Sequence, residues 1–183
     1  MENPNPKPKQ STKRFLFDLL EIIVIAFALS WVLRTYVVEA RKIPTGSMLP
    51  TIQLNDRVIV DKFYFKYFDH IRRDDIIVFR PPPKAHATDD FIKRVIGLPG
   101  DTVEIRNHKT YINGKALYEP FILAPPINNY GPVVVPKDSV FVMGDNRNNS
   151  DDSRVWGFLP MQNITARALF RYWPLERFGP LAG

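Results

Sequence analysis

The spacing of apolar residues along the chain changes near residue 40. From 15 to 38 Leu, Ile, Val, Phe and Ala dominate, and beyond Ala40 apolar residues come in short alternating or β-branched runs cut by Pro and Gly. The first pattern predicts one helix over 15–38, roughly 36 Å long and so longer than the ~30 Å hydrocarbon core of a bilayer. Its uncharged part is only 22–33, with Asp18 and Glu21 before it and Arg34 after it, which makes a marginal span. Ahead of it lies a leader, 1–14, whose first residues are rich in Pro, Asn and Lys and lack periodicity, so disorder is expected there.

The second pattern predicts strands over 57–63, 75–80, 91–97, 102–106, 109–112, 133–135, 139–143 and 164–173, with Asn113-Gly114 as a hairpin turn. Short strands at this spacing, parted by Pro81-Pro82-Pro83, Pro99-Gly100 and Pro125-Pro126, imply a mainly β fold over 39–183, an antiparallel sandwich or barrel. The aromatic run 63–68 reads as a half-buried hairpin or as a contact with lipid headgroups.

Composition narrows the setting. The 17 prolines in 183 residues, against a typical ~5%, limit long helices. Zero Cys excludes disulfides, thiolate metal sites and a Cys nucleophile. The net charge of +6 could suggest nucleic-acid binding, but Lys7, Lys9, Lys13 and Arg14 against Glu2 put half of it in the leader, and the remainder is interspersed with acids. No nucleic-acid partner is expected. The segment 15–38 reads as a membrane anchor, as a cleavable secretory signal ending at Val38-Glu39-Ala40, or as an amphipathic helix of a soluble core. Asp18, Glu21 and Arg34 argue against the signal, and the basic leader would hold the amino terminus in the cytoplasm, leaving 39–183 outside.

Two stretches carry candidate chemistry: Ile43-Pro44-Thr45-Gly46-Ser47-Met48-Leu49-Pro50-Thr51 and Phe91-Ile92-Lys93-Arg94-Val95-Ile96-Gly97-Leu98-Pro99-Gly100-Asp101. Ser47 follows a glycine between two stiffening prolines, which suits a presented nucleophile and equally a serine in an ordinary turn. A serine nucleophile needs a base, yet His70, His86 and His108 all fall in polar, turn-like segments expected at the surface. Lys93 lies among Phe91, Ile92, Val95 and Ile96. Desolvation by such neighbours can bring a lysine from about 10.4 to about 8 for roughly 3 kcal/mol, although a strand lysine can also point to solvent.

Together these stretches resemble the type I signal peptidases, membrane-bound endopeptidases with a Ser/Lys dyad. The family's serine box is similar to Thr45-Gly46-Ser47-Met48-Leu49-Pro50-Thr51, and its lysine box to Lys93-Arg94-Val95-Ile96-Gly97-Leu98-Pro99-Gly100-Asp101. Its third box resembles Gly144-Asp145-Asn146-Arg147-Asn148-Asn149-Ser150-Asp151-Asp152-Ser153-Arg154, and all three occur in the family's order. The resemblance implies Ser47 as nucleophile, Lys93 as general base, and an oxyanion hole from the Ser47 N–H and the Thr45 hydroxyl. It implies that Ser150 hydrogen-bonds the Lys93 amine, that Asp152 and Arg154 stiffen the third box, and that Arg94 and Gly144 support the site. Ile43, Met48, Ile52 and Ile92 match the shallow apolar pockets that take small residues at −1 and −3, and the substrate would bind as an added β-strand. No metal or other cofactor is implied; the partners would be signal peptides of exported preproteins and membrane lipid, and the enzyme would be a monomer on the outer face of the plasma membrane. The short 115–132 region and the single anchor depart from the long members of the family. The carboxyl-terminal Phe170-Arg171-Tyr172-Trp173-Pro174-Leu175 is most similar to the cyanobacterial and plastid branch, which admits a thylakoid location. Two other readings are a self-cleaving Ser/Lys repressor, for which no helix-turn-helix is present, and an anchored module that holds peptides without cutting them.

Overall fold

The computed structural model describes residues 12–32, 38–63, 67 and 70–181, in two units, Met1–Val37 and Val38–Gly183. In the first unit the apolar run forms α1, Thr12–Val32. Thr12, Lys13 and Arg14, expected in a disordered leader, belong to this helix instead, and residues 1–11 lie outside the described residues. The described side chains of α1 are exposed, with Phe17 and Phe27 both at 74%. Among the described residues no helix is long and apolar enough to cross a membrane. Asp18 and Glu21 sit inside α1, so its charge-free part begins at Ile22. The end of the expected span, 33–37, lies outside the described residues, and Val38 opens a strand instead of closing the helix.

The second unit is built from two antiparallel sheets. The larger runs, in spatial order, β1 (Val38–Lys42), β2 (Arg57–Asp61), β11 (Ile164–Trp173), β3 (Ile76–Phe79), β4 (Phe91–Gly97), β9 (Ser139–Met143) and β10 (Leu159–Pro160), with β12 (Gly179–Pro180) beside β11. The smaller runs β7 (Lys115–Ala116), β6 (Lys109–Ile112), β5 (Thr102–Arg106) and β8 (Tyr130–Val134). Period-two alternation sorts the side chains. On β3, Ile76 and Val78 join a cluster with Val58, Val60, Ile92, Ala166 and Ala168, while Ile77 and Phe79 join one with Val95, Val140, Val142, Trp156 and Leu159. Both faces of the sheet are therefore covered, and each buried Val, Ile, Leu or Phe contributes about 1.5–3 kcal/mol.

A third cluster, Ile96, Val103, Ile105, Ile112, Val135, Phe141 and Met143, joins the two sheets. They approach closely at Gly97, where an added Cβ would stand 2.6 Å from Val103 Cγ2 and 3.0 Å from Phe141 Cβ. The predicted turn Asn113-Gly114 joins β6 to β7 with φ of 52° and 78°. An unpredicted twin, Asn107-His108, joins β5 to β6 with φ of 49° and 61°. Of the aromatic run, Phe63 and Tyr67 are described, with ring centroids 4.6 Å apart, and the rest of the expected hairpin lies outside the described residues.

Candidate active site

Ser47 is presented by a tight turn that follows β1. Leu49 N–H donates to the Gly46 carbonyl at 3.2 Å and Ile52 N–H to that of Met48 at 2.9 Å, while Met48 and Ile52 have no exposed surface and pin the turn to the core. Ile43 is fastened to the neighbouring loop, its N–H donating to Asp56 and its carbonyl accepting from Asn55. Ser47 itself is 9% exposed.

Alternation along β4 puts Phe91, Lys93 and Val95 on one face of the strand, with Lys93 opposite Ile77 of β3. Lys93 is 4% exposed, and its Nζ donates to Ser47 Oγ at 2.7 Å while standing 5.1 Å from the centre of the Phe91 ring. Desolvation brings its pKa down to about 8, and the carboxylates of Asp152, Asp151 and Asp145 only partly oppose this. Of the two readings its apolar frame left open, Lys93 takes the buried one, on the serine and with its proton loosely held. Thr45 Oγ1 stands 3.5 Å from Ser47 Oγ, on the same turn.

The third box runs as a loop from the end of β9 to α2 (Ser153–Trp156). Its Asn146 N–H donates to the Ser47 carbonyl at 3.0 Å and its side-chain amide to the Gly46 carbonyl at 3.2 Å. Asp152 caps α2, accepts from the Gly144 N–H at 3.1 Å, and holds Arg154 through two bonds of 2.8 and 2.7 Å. A Cβ on Gly144 would collide with Ser150 Oγ and with the Ser47 carbonyl, so only glycine lets the loop close on the turn. The expected bond from Ser150 to the Lys93 amine is not formed. Ser150 Oγ is buried without a partner among the described residues, lodged against Gly144.

Arg94 has no exposed surface. Its Nε and Nη2 donate to the two oxygens of Asp145 at 2.8 and 2.7 Å, its Nη1 donates to the Asp74 carbonyl at 2.8 Å, and its guanidinium lies 3.9 Å from the centre of the Phe121 ring. Asp145 also accepts from Thr51 Oγ1 at 2.5 Å, so this pair fastens the turn's far end to the third box. Ile43, Met48, Ile52 and Ile92 fall in one apolar cluster; Ile43 (4%) and Ile92 (7%) retain a little exposure. Any shallow pocket there is thus surfaced by Ile43 and Ile92 and floored by Met48 and Ile52.

Asn146 and Phe91 were not singled out from the sequence. Asn146 could have been suspected because a polar cluster directly follows the buried strand 139–143. Nothing in the sequence sets Phe91 apart from the other apolar residues of β4.

The family model described as signal peptidase, peptidase S26, matches residues 16–173. The chain belongs to that family. A signal peptidase I of Leptolyngbya laminosa is 47% identical over 91% of this chain and 84% of its own length. A probable signal peptidase I of Synechocystis is 47% identical over 99% of this chain and 93% of its own. The thylakoidal processing peptidase 1 of Arabidopsis thaliana is 40% identical over 81% of this chain and 46% of its own, so the cyanobacterial and plastid branch is the right part of the family.

Proposed function

We propose that the protein cleaves amino-terminal signal peptides from exported preproteins after small residues at −3 and −1, through an acyl-enzyme on Ser47 with Lys93 as general base. The observation that carries this reading is the 2.7 Å contact between Lys93 Nζ and Ser47 Oγ in a buried site. Once Lys93 is neutral, the Ser47 hydroxyl donates to it and the serine oxygen attacks the scissile carbonyl as its proton passes to the amine. The tetrahedral oxyanion accepts from the Ser47 N–H and the Thr45 hydroxyl, donors that can each be worth ~3 kcal/mol. Lys93 gives its proton to the leaving amine, and then takes one from the water that hydrolyses the acyl-enzyme. Asn146 and Gly144 hold the serine turn, and Asp152 with Arg154 hold the loop that carries them.

Cleavage of a preprotein whose signal ends in Ala-x-Ala, read by mass spectrometry, tests this. Detergent-solubilised wild type should cut once, after the −1 Ala, and Ser47→Ala should not; turnover should rise with pH through about 8, where Lys93 loses its proton. A preprotein that is bound yet stays full length would favour the peptide-holding module.

The apolar segment that runs from residue 15 to the start of β1 is proposed to anchor the enzyme, a monomer with its amino terminus cytoplasmic and Val38–Gly183 on the outer face of the plasma membrane or in a thylakoid lumen. The exposed apolar side chains of α1 and the basic leader support this reading. Retention of the full chain in carbonate-washed membranes, and release of a chain lacking residues 1–37, is expected; release of both would refute the anchor.

A further inference from the structure

The loop that carries Ser47 runs from the end of β1 to Arg57 at the start of β2, and the third box and the end of the chain both hold it. From the third box, Asn146 takes the carbonyls of Gly46 and Ser47, and Asp145 accepts from the Thr51 hydroxyl. From the end of the chain comes a hook. After β11 a single 3-10 turn, Leu175–Arg177, sends the backbone back along the same strand, with Phe170 opposite Pro180 and Arg171 opposite Gly179. Leu181 closes the hook, its N–H donating to the Leu169 carbonyl at 2.9 Å and its side chain joining Met48 and Ile52 of the serine loop in one buried cluster. Residues 174–181 lie past Trp173, where the match to the family model ends.

Arg177 reaches from the hook to the loop. Its Nη1 donates to both oxygens of Asp56 at 3.0 and 2.9 Å, and its Nη2 to the carbonyls of Pro50 and Thr51 at 3.3 and 3.2 Å. Arg171 steadies it from β11, with Nε on the Arg177 carbonyl and Nη1 on the Thr51 carbonyl at 2.8 Å. Asp56 in turn ties the loop's two ends, its carboxylate accepting from Gln53 N–H at 2.8 Å and its carbonyl from Ile43 N–H at 3.0 Å.

We propose that Arg177 is a positioning residue for acylation: by fixing Pro50, Thr51 and Asp56 it keeps the serine loop where Ser47 Oγ meets Lys93. This rests on the reading of Ser47 and Lys93 as the dyad. The bond from Ile52 N–H to the Met48 carbonyl closes the arm between them into a turn, so a displacement of Pro50 and Thr51 is carried back to Ser47. A misplacement of about 1 Å at the reacting atoms can cost ~100-fold in rate, and Ser47 Oγ stands 2.7 Å from Lys93 Nζ. Bonds to a carboxylate and two carbonyls from one planar fork suit a guanidinium; an ammonium there keeps the charge opposite Asp56 and loses the fork.

The test compares wild type, Arg177→Lys, Arg177→Met and Ile112→Ala, all full-length and detergent-solubilised. It reads the urea midpoint, and kcat and KM on an Ala-x-Ala peptide at a temperature where each is folded. Arg177→Met should fold, because Arg171 remains 3.8 Å from Asp56 and keeps a cation beside that buried carboxylate. Its kcat should fall about tenfold with KM within about twofold of wild type, the mark of a contact that serves the reacting geometry and not substrate binding. Arg177→Lys should recover part of that loss. Ile112 is buried in the cluster between the two sheets, and Ile112→Ala should lower the urea midpoint at least as far while leaving kcat within about twofold. Wild-type kcat in Arg177→Met, a change in KM alone, or an equal loss of kcat in Ile112→Ala would overturn the inference and leave Arg177 a strut of the fold. Should Arg177→Met not fold, Arg177→Lys decides: a kcat about threefold down at unchanged KM supports positioning, and a wild-type kcat overturns it. A wild type that cuts no Ala-x-Ala peptide would overturn the proposed function and the inference with it.

Discussion

Lys93 and Arg94 stand next to each other on β4, face opposite sides of the strand, and are both buried. On Arg94's side are both oxygens of Asp145, the Asp74 carbonyl and the Phe121 ring. On Lys93's side are a serine hydroxyl and the Phe91 ring, with no ion pair among the described residues. A buried charge must be matched or surrendered. Arg94 is matched and serves as a fastener; Lys93 is left unmatched, its proton is loosened, and it can serve as a base. The strand's alternation, not the type of charge alone, assigns the two roles.

The largest effect should come from making the two cations alike. Lys93→Arg keeps a buried cation against Ser47, but a guanidinium does not deprotonate in the working range. Turnover of the Ala-x-Ala preprotein should fall at least ~10⁴-fold, as expected when the base of a nucleophilic pair is lost. Activity within tenfold of wild type would show that Lys93 is not the base.

A smaller but still large effect should appear on the other side of the strand. Arg94→Met leaves Asp145 buried without its partner and should lower stability by about 3–5 kcal/mol in urea unfolding, the cost of stranding one member of a buried pair. Adding Asp145→Leu to that variant should recover part of the loss, because the orphaned carboxylate is then gone as well. If Arg94→Met alone unfolds like wild type, the guanidinium is not the fastener its contacts make it.

How much of this contrast the sequence revealed depends on which interaction dictates each element. The apolar alternation in 91–97 and 139–143 is local, and those strands form where the pattern places them. β1 was not expected: Val38 was read as the end of the helix, and Val38 and Ala40 alternate with Glu39 and Arg41 over too few residues to stand out; charged residues suit an edge strand, where they discourage pairing with a foreign strand. The two-residue strands β7, β10 and β12 are too short to show any period. Burial of Lys93 was one of two readings its apolar neighbours left open, the other being a strand lysine that points to solvent. That Ser150 turns against Gly144 instead of toward Lys93 did not, since it depends on how closely the third box settles on the serine turn. The match of Arg94 to Asp145 likewise joins residues far apart in the chain, and periodicity within one strand cannot disclose it.

The smallest expected effect is also the one that runs against intuition, because removing Lys93 should stabilise the fold. Its pKa stands at about 8 in the folded protein against 10.5 for an ordinary lysine. The unfolded chain therefore binds more protons between these values, so wild-type stability rises with pH there. Below about 8 the full penalty for keeping a protonated lysine in the core is present, on the order of 3 kcal/mol. Above 10.5 both states are neutral and the penalty is gone. Lys93→Met keeps an unbranched side chain in the same apolar frame and has no proton to lose. It should be the more stable protein at pH 7 by roughly 1–3 kcal/mol, after loss of the bond to Ser47 is deducted, and this advantage should shrink steadily as urea unfolding is repeated toward pH 10. An advantage independent of pH would mean that the gain comes from packing and that Lys93 holds its proton as an exposed lysine does. An advantage that closes with rising pH would place the cost of the loosened proton on the same side chain whose loss ends turnover.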